Sequence, residues 1–231
     1  MRPLTLFSRI FLVAGFALLL DGCAGGPPAP DWQMNAKSAI DRSVSAYLAG
    51  NTPVETQEFE RARNEIARTG RLDLLARVEL VRCAGRVASL VQEDCPAFEK
   101  LRQDAAAPER AYADFLLARV QAQDLALLPA QYRAVVGTGA TAAAGAALKD
   151  IADPLSRLIA AGVVFRAGRA DPTVLSAAVD TASAQGWRRP LLAWLAVQAM
   201  RAEQAGDTQA AQAVRRRIDF IQNPARPAAS E

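Results

Sequence analysis

The feature that most constrains this chain is a recurring pair of start and stop signals. Asp153-Pro154 and Asp171-Pro172 each place a carboxylate just before a proline. The carboxylate caps a free N–H of a first helical turn, and the proline presets φ where no hydrogen bond is lost. Gly168, Gly186 and Gly206 follow where a helix ends through a left-handed residue. Asp207 opens a last helix and Pro224 lies just past its end. The predicted starts near 153, 171, 190 and 207 are 17 to 19 residues apart. Two such helices form a hairpin of about 36 residues, a period typical of stacked helical arrays.

Periodicity inside these segments agrees. Leu155, Leu158, Ile159 and Val163 make one apolar stripe; Val174, Leu175, Ala178, Val179 and Ala182 make another; Val214, Ile218 and Ile221 make a third. Upstream, Thr52-Pro53-Val54-Glu55 reads as a capping box whose helix stops at Gly70. Helices are expected near 32–49, 53–69, 71–91, 108–127 and 140–151, with short ones at 96–104 and 129–136. The first is amphipathic through Met34, Ile40, Val44, Tyr47 and Leu48. Ala, Leu and Arg are the commonest residues, all strong helix formers, and no alternating strand pattern of useful length is present. The expected fold is all-α: stacked helical hairpins, as a tetratricopeptide-like α-solenoid or a helical bundle. Residues 193–213, from Ala-Trp-Leu-Ala to Gly-Asp-Thr-Gln-Ala-Ala-Gln-Ala, resemble the middle of a tetratricopeptide repeat. There small residues let two helices approach and Gly-Asp makes the turn.

The N-terminus is organised differently. Arg2 and Arg9 precede an apolar run of 11 residues, Ile10 to Leu20. That is too short to span a bilayer, which takes about 20 residues, and it suits a signal-peptide core. It leads into Leu20-Asp21-Gly22-Cys23, followed by Ala-Gly-Gly-Pro-Pro-Ala-Pro at 24–30. Residues 1–22 resemble a bacterial lipoprotein signal peptide, with Asp21 standing where a small neutral residue is usual. The resemblance implies a diacylglyceryl thioether on Cys23 and an acyl chain such as palmitate on its amine, enough chains for stable anchoring. Ala24 after the cysteine implies an outer-membrane address facing the periplasm; the periplasmic face of the inner membrane and the soluble periplasm are the alternatives. The expected organisation is a signal peptide at 1–22, a lipidated tether at 23–31, one helical domain at 32–222 and a disordered tail at 223–231.

Composition narrows the chemistry. The chain has no histidine, which excludes Ser-His-Asp and Cys-His catalysis and every His-containing zinc site. Removing Arg2, Arg9 and Asp21 from the 27 basic and 24 acidic residues leaves 25 and 23, a balance that does not point to nucleic acid. No cofactor or metal is expected, since three cysteines cannot complete a Cys₄ site. In an oxidising compartment Cys83 and Cys95 read as a disulfide clamping a helix corner, without the CxxC spacing of redox pairs.

The remaining candidates are these. Gly137-Thr138-Gly139-Ala140-Thr141-Ala142 has the glycine content of a phosphate loop but no Gly-Lys-Ser/Thr, and reads as a loop before a small-residue helix. Glu55, Glu58, Glu60 and Glu65 alternate with Arg61, Arg63 and Arg68, as a solvated helix face does. Glu79 sits in the apolar run Val78–Val81 and is expected to pair with Arg82 or Arg86. Trp194 is expected in the core. Trp187 is expected to pack under its turn, with an exposed anchor as the alternative. It joins Arg188, Arg189 and the triple Arg215, Arg216 and Arg217, toward a helix C-terminus where the helix dipole favours cations, as candidate contacts to a partner or to lipid headgroups. The favoured function is a non-enzymatic, lipid-anchored interaction protein of the cell envelope, bound to the membrane through Cys23 and to an envelope protein partner. The alternatives are a peptidoglycan-acting enzyme using a lone carboxylate, and a binder of small molecules or lipids. Those alternatives require, respectively, an unpaired carboxylate in a pocket and an apolar cavity of several hundred Å³.

Overall fold

A computed structural model describes residues 29–137 and 141–224. Cys23, the signal segment, Thr138–Ala140 and the tail from 225 lie outside the described residues. Within them the fold is all-α, with no strand. The order is α1 (Asp31–Ala49), α2 (Thr52–Ala67), α3 (Leu72–Ala88), α4 (Pro96–Glu99), α5 (Ala107–Leu116), a 3₁₀ helix (Ala122–Leu127), α6 (Ala130–Gly137), α7 (Thr141–Lys149), α8 (Pro154–Arg166), α9 (Pro172–Ala184), α10 (Arg188–Gln204) and α11 (Thr208–Gln222). No described helix is long and apolar enough to cross a membrane.

The start signals work as read. The side chains of Asp153, Asp171 and Asp207 accept from the N–H groups of Ser156, Val174 and Ala210 at 2.7, 2.9 and 2.9 Å. One reading is corrected. The cap of α2 is Asn51, which accepts from Val54 N at 3.3 Å; Thr52 lies inside the helix, and Glu55 is buried away from its own N-terminus. A second correction concerns 108–127. The helix stops at Leu116, where Ala118 takes φ 55° and Arg119 N–H bonds back to Asp114 O at 2.8 Å. That closure satisfies the last carbonyls in the manner of a glycine-ended helix, and the chain turns into the 3₁₀ segment. A third concerns α1. Met34 is 52% exposed; the buried stripe is Ala36, Ala39, Ser43, Ala46 and Leu48. These small side chains let α2 approach closely, and Ser43 Oγ donates to Glu55 O at 3.2 Å.

α3 is the hub. Val78, Leu80, Cys83, Ala84, Gly85 and Val87 are buried on different sides of it, as expected of a helix enclosed by others. It packs on α1, α2, α4, α5 and α8. The C-terminal hairpins follow one another as stacked pairs, α8 on α9, α9 on α10 and α10 on α11. α10 also returns to α1, so the first and last hairpins meet. Arg189 makes that junction: its Nε donates to Tyr47 O at 2.7 Å, a terminal nitrogen donates to Thr52 Oγ1 at 2.8 Å, and its guanidinium lies 4.4 Å from the Tyr47 ring centroid. Trp194 is fully buried and its Nε1 donates to Ala88 O at 3.0 Å, occupying a carbonyl that the end of α3 leaves without a helical partner. Cys83 and Cys95 are bonded and buried, with Cα atoms 5.5 Å apart, so the expected clamp joins α3 to the start of α4.

The tightest crossing is α8 over the end of α3. A Cβ at Gly162 would stand 2.9 Å from both Val87 C and Val87 Cγ1, closer still to the carbonyl oxygen. At Gly85 it would stand 3.6 Å from the Tyr47 ring, an ordinary contact. Helix propensity favours alanine over glycine by about 1 kcal/mol at either site. Overpacking against backbone costs about 1–3 kcal/mol and opposes that gain only at 162. Denaturant titration should therefore find Gly162→Ala destabilised by up to about 2 kcal/mol and Gly85→Ala unchanged or stabilised. Equal effects would show that the α3–α8 approach is not the tight one.

Candidate functional site

Two features on opposite chemical terms flank α3. The first is a lattice of ion pairs. α2 and α3 present carboxylates and arginines at helical spacing, and the crossing pairs them. Arg82 Nε holds Glu55 Oε1 at 2.8 Å, and its guanidinium lies 4.2 Å from the Phe59 centroid. Arg63 holds Glu79 at 2.5 Å and Arg86 holds Glu93 at 2.5 Å. Glu79 therefore pairs with Arg63 on α2; Arg82 and Arg86, its expected partners, are engaged elsewhere. Glu58 meets Arg42 at 2.9 Å, Glu65 meets Arg68 at 3.2 Å, Glu60 lies 3.9 Å from Arg63 and Asp73 meets Arg71 at 2.6 Å. Every carboxylate of α2 and α3 thus has an arginine. The unpaired acid that the peptidoglycan-cleaving alternative requires is not present on these two helices. Beside the disulfide the lattice leaves a cleft of about 40 Å³, room for water and not for a sugar ring.

The second feature is apolar. Leu80 and Val81 of α3, Pro108 and Tyr112 of α5, and Leu127, Leu128 and Pro129 at the end of the 3₁₀ helix line a groove of about 370 Å³. The break after Leu116 creates it, because a straight helix over 108–127 would carry Leu127 away from α3. Tyr112 is held by stacking on Phe115 and by Tyr132, with centroids 5.8 Å away in both cases. Burial lifts the Tyr112 phenol well above its usual range, so it stays a neutral wall. Leu80 and Leu128 form the floor, and Leu127 is 38% exposed at the rim. At one end Arg77 holds Glu109 Oε1 at 2.5 Å, while Glu109 Oε2 is buried with no hydrogen-bond partner. A larger depression, about 520 Å³ around Glu99, Lys100, Arg102 and Arg110, is open and charged. Its Arg102 is bound to Glu99 and Asp114 at 2.9 and 2.6 Å.

The residues singled out in the sequence are distributed, not gathered. Trp187 is half-buried against the main core, Arg188 is exposed, and Arg189 is the α1–α10 junction. Arg215, Arg216 and Arg217 sit in the middle of α11, not in its last turn, so the helix dipole does not account for them. Arg215 pairs with Glu203 at 2.6 Å. Tyr132–Val136 is helical, not the strand a phosphate loop follows. The described residues hold no group of three or more metal-ligating side chains. The groove was missed because its walls come from segments up to 52 residues apart; Pro108 and Pro129, bracketing a segment with an unexpected break, were its trace in the sequence.

Glu79 gives the lattice a testable signature. Its burial outweighs Arg63 and Arg82 and raises its pKa. The native state therefore binds this proton more tightly than the unfolded chain does. The penalty for ionising Glu79 is absent below the ordinary carboxylate pKa and complete above the raised one. Denaturant midpoints should show Glu79→Gln gaining on the parent protein as pH rises through the carboxylate range; a relative loss would mean that Arg63 dominates. Comparison with protein-family models, with curated proteins and with solved structures finds no match to this chain.

Proposed function

We propose that this chain is a lipid-anchored interaction protein of the bacterial envelope, facing the periplasm from the outer membrane, and that it docks a segment of a protein partner in the α3–α5 groove. The observation that carries the reading is an apolar groove of about 370 Å³, walled by Leu80, Val81, Tyr112 and Leu127 and bounded at one end by the Arg77–Glu109 ion pair. A peptide suits both chemistries at once: apolar side chains cover Leu80, Val81 and Leu127, and polar backbone groups meet the charged pair at the end. An acyl chain meets only the first. The N-terminal resemblance supports the anchor, and the oxidising periplasm suits the Cys83–Cys95 bond. The arginine-paired carboxylates of α2 and α3, beside a cleft of about 40 Å³ that admits no sugar ring, favour a binding role over acid catalysis on peptidoglycan.

A photo-crosslinking residue at Leu127, in the full chain in intact envelopes, tests this. The expected result is one defined protein adduct, absent when the residue is placed at exposed Gln185 and lost on Val81→Glu. Equal labelling at 127 and 185, or an adduct indifferent to Val81→Glu, contradicts groove docking. Release of muropeptides by the purified protein would contradict the interaction-protein reading itself.

A further inference from the structure

α11 carries a second surface, with different chemistry. Ala211 is its only buried residue; Val214, Ile218 and Ile221 lean on the core. At 100° per residue Phe220 falls on the side away from those three, and it is 68% exposed, the most of any large apolar residue described. Arg216 and Arg217 stand one turn earlier, at i−4 and i−3, so the ring lies between them. Both are exposed, and neither makes an ion pair or hydrogen bond among the described residues.

The charge is not balanced nearby. Residues 187–224 contain six arginines, no lysine and three carboxylates. Glu203 pairs with Arg215 at 2.6 Å, Asp207 caps the Ala210 N–H at 2.9 Å, and Asp219, one turn from Arg216, accepts from Asn223 Nδ2 at 3.0 Å; six arginines against three carboxylates leave the segment at +3. The short turn at 205–207 makes α10 and α11 antiparallel. Exposed Arg188, at the first turn of α10, therefore lies at the same end of the hairpin as Phe220.

We propose that the outer face of α11, Arg216, Arg217 and Phe220, seats on an anionic phospholipid surface. Guanidiniums meet lipid phosphates and an aromatic ring between them settles at headgroup depth. A protein partner needs a complementary patch of roughly 800 Å² per side, far more than one ring and two side chains supply. A bilayer needs no matching relief, only opposite charge and an apolar layer beneath it. The inference rests on the envelope reading only for a bilayer within reach, and it uses no groove residue.

The test places the full chain on vesicles of phosphatidylcholine alone or with about 30% phosphatidylglycerol, an anionic fraction sufficient to set a surface potential. The reporter is Phe220→Trp, read as fluorescence quenching by brominated lipid in excess of the parent protein, whose tryptophans are unchanged. The expected result is excess quenching on the anionic vesicles only, lost at high salt. Arg216→Gln with Arg217→Gln should shift the seated-to-free equilibrium about thirty-fold toward free. Far-ultraviolet circular dichroism checks that the exposed substitutions leave the helices intact. Equal quenching on both vesicle types, indifference to the double substitution, or no excess quenching on the anionic vesicles overturns the proposal. Sedimentation with neutral vesicles reads the anchor separately. A chain that pellets only with anionic vesicles, and shows the excess quenching, supports this face while removing the anchor.

Discussion

The last two turns of α3 are where this molecule is held together. Within them Cys83 is bonded to Cys95, Gly85 receives the Tyr47 ring, Val87 backs directly onto Gly162 and Ala88 O accepts the buried indole of Trp194. Four segments far apart in sequence thus converge on six residues. Just beyond, Leu90 takes φ 60° and Val91 N–H returns to Arg86 O at 3.0 Å, ending the helix in a left-handed turn that only glycine adopts without strain. Arg166 of α8 then binds Glu93 O at 2.9 Å and Asp94 at 2.5 Å. A linear helical array lets each repeat touch only its neighbours. Here α1 and α10 close on each other across α3, and the fold acquires a centre.

That centre sets the surface. Because α3 is enclosed on most sides, its one open flank is the strip of Arg77, Leu80 and Val81, and α5 and the 3₁₀ turn wall that strip into a groove. On another flank of the same helix, carboxylates and arginines from α2 neutralise one another. Such internal pairs contribute little net stability against the desolvation they suffer, but they fix register between α2 and α3. α11 lies outermost, the least buried of the long helices, and it carries arginines that nothing inside the fold requires.

Local signals were legible and long-range ones were not. Asp153, Asp171 and Asp207 announced their helices because a cap is a three-residue event. The disulfide was legible because, with Cys23 expected to carry lipid, the cysteine count left one pairing, Cys83 with Cys95. Ala118 and Leu90 gave no warning of left-handed turns, since nothing in an alanine or leucine favours positive φ; tertiary packing imposes it. The partner of Glu79 was misplaced for a related reason: spacing along α3 shows Arg82 and Arg86, while the crossing angle with α2 delivers Arg63. The groove depends on both failures, a break no propensity announces and a contact between distant segments.

The central claim is that the chain is closed around α3 and opens as one unit. Native-state hydrogen exchange across a denaturant series measures this directly. The account predicts that amides of Val87 in α3 and Leu195 in α10 exchange with the same free energy and the same denaturant dependence. An α10 that opens at markedly lower free energy and with a smaller denaturant slope, while α3 stays protected, would contradict it.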